Sequence, residues 1–323
     1  MTVQSDADTL VTVFGGSGFL GRHVVQALAQ RGYRIRVAVR RPELAGHLQP
    51  LGRVGQIHAV QANLRHKPSV AAAVRGADIV INLCGILHEA GRQTFEAVQA
   101  LGAETVAAAA AAHDARMIHV SAIGADENAT AAYARSKARG EKLVLAATPQ
   151  AVIFRPSIVF GPNDTFFNRF AAMACVLPAL PLIGGGRTRF QPVYAGDVAA
   201  AVVRAAADEA KPGTIYELGG PEIFTFRELM DYVLSTIERR RLLLPLPFGI
   251  ARLEAAFLEL LPKPLLTRDQ VELLRYDNVV SEAAREEGRT LEGLGITPTT
   301  IAAVVPTYLW RFRKTGEFQR RIA

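Results

Sequence analysis

The chain has 323 residues, half of them hydrophobic, with 37 Lys and Arg against 30 Asp and Glu, a formal charge of +7. That length suits one large α/β unit or a nucleotide-binding domain with a smaller lobe, and the apolar content excludes extensive disorder. Two cysteines exclude a disulfide scaffold and favour a reducing compartment, and seven scattered histidines show no ligand spacing, so no metal site is expected.

Residues 1–8 carry acids and no apolar core, which excludes a signal or transit peptide as the reading of this segment. The first element is Val11-Thr12-Val13-Phe14, an apolar run that breaks into Gly15-Gly16-Ser17-Gly18-Phe19-Leu20-Gly21-Arg22 and resumes as Val24, Val25, Ala27 and Leu28 at helical spacing. It reads as strand, tight turn and a helix ending near Gly32. One glycine lets the chain reverse, one leaves no Cβ between backbone and pyrophosphate, and one lets the helix lie close to its strand. Gly16, Gly18 and Gly21 fit G-x-G-x-x-G, and Gly15, Gly18 and Gly21 fit G-x-x-G-x-x-G. Directly after a first strand, either spacing marks a dinucleotide phosphate turn. Ser17, Phe19 and Leu20 complete the turn, and the unpaired N–H groups of the helix start face the anion.

Residues 34–41 form the second strand, ending about 20 residues beyond the glycines, where a carboxylate ordinarily bonds the adenosine ribose 2′-hydroxyl. Arg40 and Arg41 stand there instead. A carboxylate repels a 2′-phosphate and a guanidinium binds it through two hydrogen bonds, so NADPH (NADP) is expected over NAD. The alternative for these arginines is a solvated strand end.

A third strand is expected over 56–62, followed by Asn63-Leu64-Arg65, then a helix over 68–76, a fourth strand over 77–84 and a helix over 94–113. A fifth strand covers 116–121, a helix 131–147 and a sixth strand 151–154. Apolar strands alternating with helices specify an α/β fold: a Rossmann-type doubly wound parallel sheet with a smaller C-terminal α+β lobe. Residues 1–160 are assigned to the NADP(H)-binding domain, its sheet completed by later segments, and 161–323 to the smaller substrate or partner lobe. Ligands in such sheets lie beyond the carboxyl ends of the strands, where strand order reverses.

Past Arg155-Pro156-Ser157, prolines and Gly184-Gly185-Gly186 punctuate short elements. Thr225 with Glu228 and Thr267 with Gln270 have capping-box spacing. Arginines gather at Arg239-Arg240-Arg241 and over 311–321, as a solvated face or a surface for anionic lipid or an acidic protein. No aromatic-interleaved basic sheet or recognition helix accompanies them, so nucleic acid is not an expected partner. The apolar stretch 242–261 is interrupted by prolines, Arg252, Glu254 and Glu259 and does not read as a membrane span. It is either a membrane-proximal or partner-facing surface or an internally packed helix pair.

Tyr133 and Lys137 lie four apart on one face of the helix over 131–147. A lysine beside a tyrosine favours phenolate, preparing the tyrosine for proton transfer beside hydride transfer. Tyr133 and Lys137 are therefore the candidate catalytic residues.

With these blocks in place, the chain resembles the extended and atypical short-chain dehydrogenase/reductases, the NAD-dependent epimerase/dehydratase superfamily. The likeness spans Gly15 to Gly21, Asn82-Leu83-Cys84-Gly85, His119-Val120-Ser121, Tyr133 with Lys137, Arg155-Pro156-Ser157-Ile158-Val159-Phe160-Gly161-Pro162, and Gln191-Pro192-Val193-Tyr194 with Asp197-Val198-Ala199. The resemblance implies that Asn63 and Leu64 flank the adenine, and that Leu83, Cys84 and Gly85 line the ribose side. It places Pro156 through Ile158 beside the nicotinamide and gives Lys137 a ribose-binding role. It also implies a Ser or Thr after the Val-Ser pair, and here that position is Ala122. Ser121 is read as a strand-end cap or as part of the cofactor site. Loss of an oxygen-stabilising donor commonly costs on the order of a hundredfold in rate.

The late blocks Pro245-Leu246-Pro247, Thr267-Arg268-Asp269-Gln270-Val271-Glu272 and Leu291-Glu292-Gly293-Leu294-Gly295-Ile296 are similar to the nucleotide-binding accessory subunits of respiratory complex I, the alpha-subcomplex subunit 9 family. That resemblance implies a protein that holds NADPH and contributes no electron-transfer step; complex I subunits are candidate partners, although membership of such an assembly does not carry over from the resemblance, and the alanine- and arginine-rich composition reads as that of a bacterial relative. Three functions stand at this point. One is a cofactor-holding structural protein of a respiratory or quinone-related assembly. The second is an NADPH-dependent reductase or epimerase/dehydratase acting on a small-molecule substrate through Tyr133 and Lys137. The third is an assembly or quinone-biosynthesis accessory. The expected location is cytoplasmic, with peripheral contact to the cytoplasmic face of the inner membrane and no transmembrane helix.

Overall fold

The structure, a computed structural model, describes residues 7–261 and 264–315. Most of the N-terminal acidic segment and the end of the C-terminal arginine cluster lie outside the described residues.

In chain order the first elements are β1 (Leu10–Phe14), α1 (Phe19–Arg31), β2 (Arg34–Val39), β3 (Ile57–Gln61), α2 (Lys67–Val74), β4 (Ile79–Asn82), α3 (Leu101–Ala111), β5 (Arg116–Val120), α4 (Ala132–Ala147) and β6 (Val152–Pro156). There follow β7 (Val159–Phe160), α5 (Phe167–Val176), β8 (Ala179–Ile183), β9 (Arg189–Phe190), β10 (Val193–Tyr194), α6 (Ala195–Ala206) and β11 (Ile215–Leu218). The main later elements are β12 (Phe224–Thr225), α7 (Phe226–Thr236), β13 (Leu242–Leu246), α8 (Phe248–Leu258) and α9 (Arg268–Leu273).

Two compact units result. The first comprises the described residues through Pro156 together with Ala195–Leu218 and Ser281–Thr297. Its sheet has seven strands in the order β11-β6-β5-β4-β1-β2-β3, every pair parallel. Helices cover both faces, so residues on both sides of the sheet are apolar: Val11, Val13, Ile35, Val37, Ile79, Ile81 and Ile118 are buried on one face, and Phe14, Ala38, Val80, Met117 and Ile153 on the other. Each such side chain contributes about 1.5–3 kcal/mol when fully buried. The order reverses between β1 and β4, which places a topological switch at the tip of β1.

Six of the seven strands match the sequence expectation within two or three residues at each end. The seventh, β11, does not stand out in the sequence, because Glu217 interrupts its apolar run. Glu217 is buried through its partners: its Oε2 accepts the Ser281 N–H at 2.7 Å, and its Oε1 lies 3.8 Å from Arg155. The helix expected over 94–113 is also corrected. It begins with a π-helical turn, Glu96–Ala100, before α3. The wider turn buries Gln99, whose Nε2 donates to the Ile86 carbonyl at 2.9 Å, and brings the Gln99 carbonyl so close to α4 that a Cβ on Gly140 would lie 2.2 Å from it.

The second unit comprises Ser157–Tyr194, Gly219–Val280 and the described residues from Pro298. Its strands pair in twos: β7 with β10 and β8 with β13 in parallel, and β9 with β12 antiparallel. Its core gathers Phe160, Phe167, Leu180, Phe226, Met230 and Leu309. Buried Asp164 accepts hydrogen bonds from the Tyr308 hydroxyl and the Gly161 N–H, tying the late helices to this core. Both capping boxes form, at Thr225 with Glu228 and at Thr267 with Gln270. The stretch 242–261 is a strand and a helix, not a pair of helices. No helix among the described residues is long and apolar enough to cross a membrane.

Gly140→Ala places a methyl against the Gln99 carbonyl and should lower stability by about 1–3 kcal/mol, read as a lower thermal midpoint. Gly249→Ala, on α8 with nothing within 4 Å of the added Cβ, is the control and should be neutral or stabilising.

Candidate functional site

The site begins with backbone geometry at the tip of β1. Gly15 has φ +80°, and its carbonyl accepts the Gly18 N–H at 3.1 Å. A Cβ on Gly16 would lie 2.6 Å from Val37 Cγ1, and one on Gly21 would lie 2.2 Å from the Gly15 carbonyl oxygen. Gly15, Gly16 and Gly21 are thus required by the fold itself. Gly18 differs: it is exposed, in extended conformation, and a Cβ there would meet only the Gly15 oxygen, at 3.3 Å. Gly18 is where open space meets the start of α1, and Ser17, Phe19 and Leu20 beside it are half-buried. Such a cradle of N–H groups without a Cβ fits a diphosphate.

At the end of β2, Arg40 and Arg41 are both exposed. Arg40 Nη1 donates to Gln93 Oε1 at 2.6 Å. Arg65 Nη1 reaches the same short loop, donating to the Arg92 carbonyl at 3.1 Å. Arg40 and Arg65 therefore grip one loop through adjacent residues, Gln93 and Arg92, a pairing that sequence reasoning missed because no local periodicity links residues 40, 65 and 92. Asn63 holds the turn after β3: its Oδ1 accepts the Arg65 N–H, and Ser69 Oγ accepts the Asn63 N–H. Leu64 is half-buried, and a Cβ on Gly102 of α3 would lie 3.1 Å from its Cβ.

At the end of β4, Leu83 N–H donates to the Phe14 carbonyl, and Cys84 N–H to Asn82 Oδ1. With Oδ1 so used, Asn82 Nδ2 donates to His119 Nδ1 at 3.3 Å, which assigns the imidazole proton to Nε2. Burial, and then the nearby Lys137 charge, lower the His119 pKa to about 3, so the ring is neutral. Burial pushes the Cys84 thiol up to about 12 despite the opposing charges of Lys137 and Arg40. Cys84 is a packing residue beside Gly15 and not a nucleophile.

On α4, Lys137 is buried, and its Nζ donates to the Val120 carbonyl at 3.2 Å; a Cβ on exposed Gly85 would lie 3.4 Å from that nitrogen. Burial lowers its pKa to about 8, opposed by the Glu141 and Cys84 charges, so it remains mostly protonated at neutral pH. Tyr133, one helical turn earlier, is half-buried and meets Phe95 edge-on at 5.8 Å between ring centroids. Ser121 N–H donates to the Phe154 carbonyl, but its Oγ, like His119 Nε2, is buried without a hydrogen-bond partner among the described residues. The hydroxyl therefore makes no capping bond. His119 and Ser121, two apart where β5 ends, point to the same side of the sheet. Pro156 is buried at the end of β6, its carbonyl accepting the Ile123 N–H, whereas Ile158 belongs to the second unit and is half-buried. Ala122 carries no hydroxyl at the place where the resemblance requires one.

A glycine cradle at a topological switch, a cationic second-strand end and a buried lysine beside a tyrosine define a Rossmann protein with an NAD(P)-binding fold. The chain belongs to the NAD-dependent epimerase/dehydratase family, whose sequence pattern matches residues 11–219. More particularly, it is similar to NADH dehydrogenase [ubiquinone] 1 alpha subcomplex subunit 9 of Arabidopsis thaliana mitochondria, at 36% identity over 326 residues, covering 97% of this chain and 80% of that protein. A ceramide reductase of Caulobacter vibrioides is 36% identical over 201 residues, 62% of each chain. Among solved structures, a dTDP-glucose 4,6-dehydratase of Streptomyces venezuelae superposes with a TM-score of 0.71 at 20% identity, covering 94% of this chain and 96% of that one.

The glycines separate experimentally. Gly21→Ala should unfold the first unit, whereas Gly18→Ala should keep stability within about 1 kcal/mol and abolish nucleotide retention, as read by nucleotide fluorescence. Lys137 gives a pH test. Its charge is present below about 8 and lost above it, so affinity for NADPH should be flat from acid to neutral pH and fall as pH rises past 8, approaching about tenfold per unit. Lys137→Met should bind weakly with no such fall.

Proposed function

We propose that the chain holds NADPH across the carboxyl ends of β1, β2, β4 and β5 and serves as a nucleotide-holding accessory protein of a respiratory NADH:ubiquinone oxidoreductase assembly. In this reading Gly15, Ser17, Gly18, Phe19, Leu20 and Gly21 cradle the diphosphate, and Arg40, with Arg41 and Arg65 nearby, takes the 2′-phosphate. Asn63 and Leu64 flank the adenine. Leu83, Cys84, Gly85 and Lys137 line the ribose, and Ser121 and Pro156 border the nicotinamide. When bound, the nucleotide supplies a ring that accepts or donates hydride.

The observation that carries the reading is the contrast at the end of β5. The backbone cradle and Lys137 are intact, while Ala122 removes the hydroxyl that would hold a reacting oxygen near Tyr133. Similarity along 97% of the chain to a complex I subunit supports the same conclusion. With such partners, the protein would sit at the cytoplasmic face of the inner membrane.

A second reading, an NADPH-dependent reductase of a small molecule, is favoured by one specific observation. Tyr133 and Lys137 share a helix face, and Ser121 Oγ is buried without a partner two residues from His119. There Lys137 would favour the Tyr133 phenolate, and Tyr133 would move the proton. The similarity to a ceramide reductase accords with this reading.

Arg40→Asp should weaken NADPH binding on the order of tenfold or more and shift preference to NADH, measured by paired titrations. Unchanged preference would remove Arg40 from the site. Native mass spectrometry of protein gently purified from its own membranes separates the two functions. Bound NADPH together with respiratory subunits supports the accessory role, and a free chain that oxidises NADPH with a carbonyl substrate supports the reductase.

A further inference from the structure

Large apolar side chains on the second unit are exposed together. On β13, Leu242 and Leu244 alternate on the outer side, the first 68% exposed. On α8 and just beyond it, Ile250, Leu253, Phe257 and Leu260 recur at intervals of three and four residues, a single helical stripe, with Phe257 67% and Leu260 82% exposed. The buried residues of this helix are Ala251 and Ala255. α8 thus turns its small side chains to the core and its large ones outward, the reverse of an ordinary surface helix. Val176 and Leu177 extend the patch, since the Leu242 N–H donates to the Pro178 carbonyl and β13 pairs with β8 from Leu242 and Ala179 onward. Leu246, on the same side of β13 as Leu242 and Leu244, packs against the cluster that holds Ala251 and Ala255 and so joins the strand to α8; single exposed leucines are common, but a group so joined marks an interaction surface.

Charge at the rim decides what covers it. Arg239, Arg240 and Arg241 lead directly into Leu242. Arg241 Nε donates to the Ala174 carbonyl and Arg239 Nε to the Phe312 carbonyl, which anchors these two side chains, while Arg240 is exposed. The neighbouring acids are neutralised: Glu259 pairs with Arg268, Glu272 with Arg252 and Arg275, and Glu238 with Arg313. Glu254 alone on α8 lacks an ion pair among the described residues. An apolar ridge bordered by guanidinium groups complements acyl chains beneath anionic headgroups. α8 is 11 residues long, about 16 Å, roughly half a hydrocarbon core, so it suits the plane of the interface and not a span.

We propose that β13 and α8 form a docking face for an anionic lipid surface, with Leu242, Leu244, Leu253 and Phe257 entering the acyl boundary and Arg240 contacting headgroup phosphates. This face does not depend on nucleotide binding.

Sedimentation of the full chain with vesicles of phosphatidylcholine, alone or mixed with phosphatidylglycerol, tests it. Wild-type protein should sediment with the mixed vesicles, less with the neutral ones, and less again at high salt. Leu253→Glu with Phe257→Glu should lower the partition about tenfold or more, and Arg240→Glu by about fivefold or more at low salt. Unchanged melting temperature and nucleotide binding would show that the variants remain folded. Failure of wild type to bind mixed vesicles, or equal sedimentation of the double variant, would overturn the proposal. So would light scattering that shows a dimer dispersed by the double variant while vesicles remain unbound, because the face would then belong to a second copy of the chain.

Discussion

The first unit depends on how closely α1 lies over the turn it leaves. With a Cβ on Gly21 placed only 2.2 Å from the Gly15 carbonyl, no side chain fits between helix and turn, and the first helical N–H groups are held at the tip of the central strand. Gly16 performs the same service toward Val37 of the neighbouring strand. Packing demands these two residues whether or not a ligand binds, whereas Gly18 is exposed and a Cβ there would meet only the Gly15 oxygen, at 3.3 Å. The same short sequence therefore contains glycines that the fold requires and one, Gly18, that packing alone does not explain. Their separation gives the phosphate cradle a physical basis beyond motif spacing.

Beyond the diphosphate, charge is distributed unevenly. The end of β2 and the loops beside it carry Arg40, Arg41, Arg65 and Arg92, all exposed, with Arg40 held by Gln93 and Arg65 by the Arg92 carbonyl. The end of β5 and the facing turn of α4 carry one buried ammonium on Lys137, a neutral His119 and the Ser121 hydroxyl. An exposed arginine cluster costs little to maintain, but a buried lysine must be offset by something that uses its charge. A nucleotide ribose and a nearby phenol are both candidates for that use. Ala122 weakens the second, so binding is the role retained under either functional reading.

Much of this was legible in the sequence because parallel strands covered on both faces leave near-continuous apolar runs, and because glycine and capping residues act locally. Val11 to Gly21, the strand over 116–121 and the two capping boxes belong to that class. Features set by distant residues were not legible. β11 hides behind Glu217, which is buried only because Arg155 and the Ser281 N–H meet it. The π-helical turn at Glu96–Ala100 goes with the approach of Gly140 from another helix. Pro245 and a run of leucines disguised β13, whose strand character comes from pairing with β8. Arg65 meets the loop that Arg40 also holds only because folding brings residues 92 and 93 beside both.

If the chain retains a 2′-phosphorylated pyridine nucleotide as proposed, calorimetric titration of the full chain with NADPH and with NADH will show it. One NADPH per chain, bound more tightly than NADH, is the predicted result. No heat with either nucleotide at millimolar concentration, from protein that is folded by circular dichroism, would contradict the account.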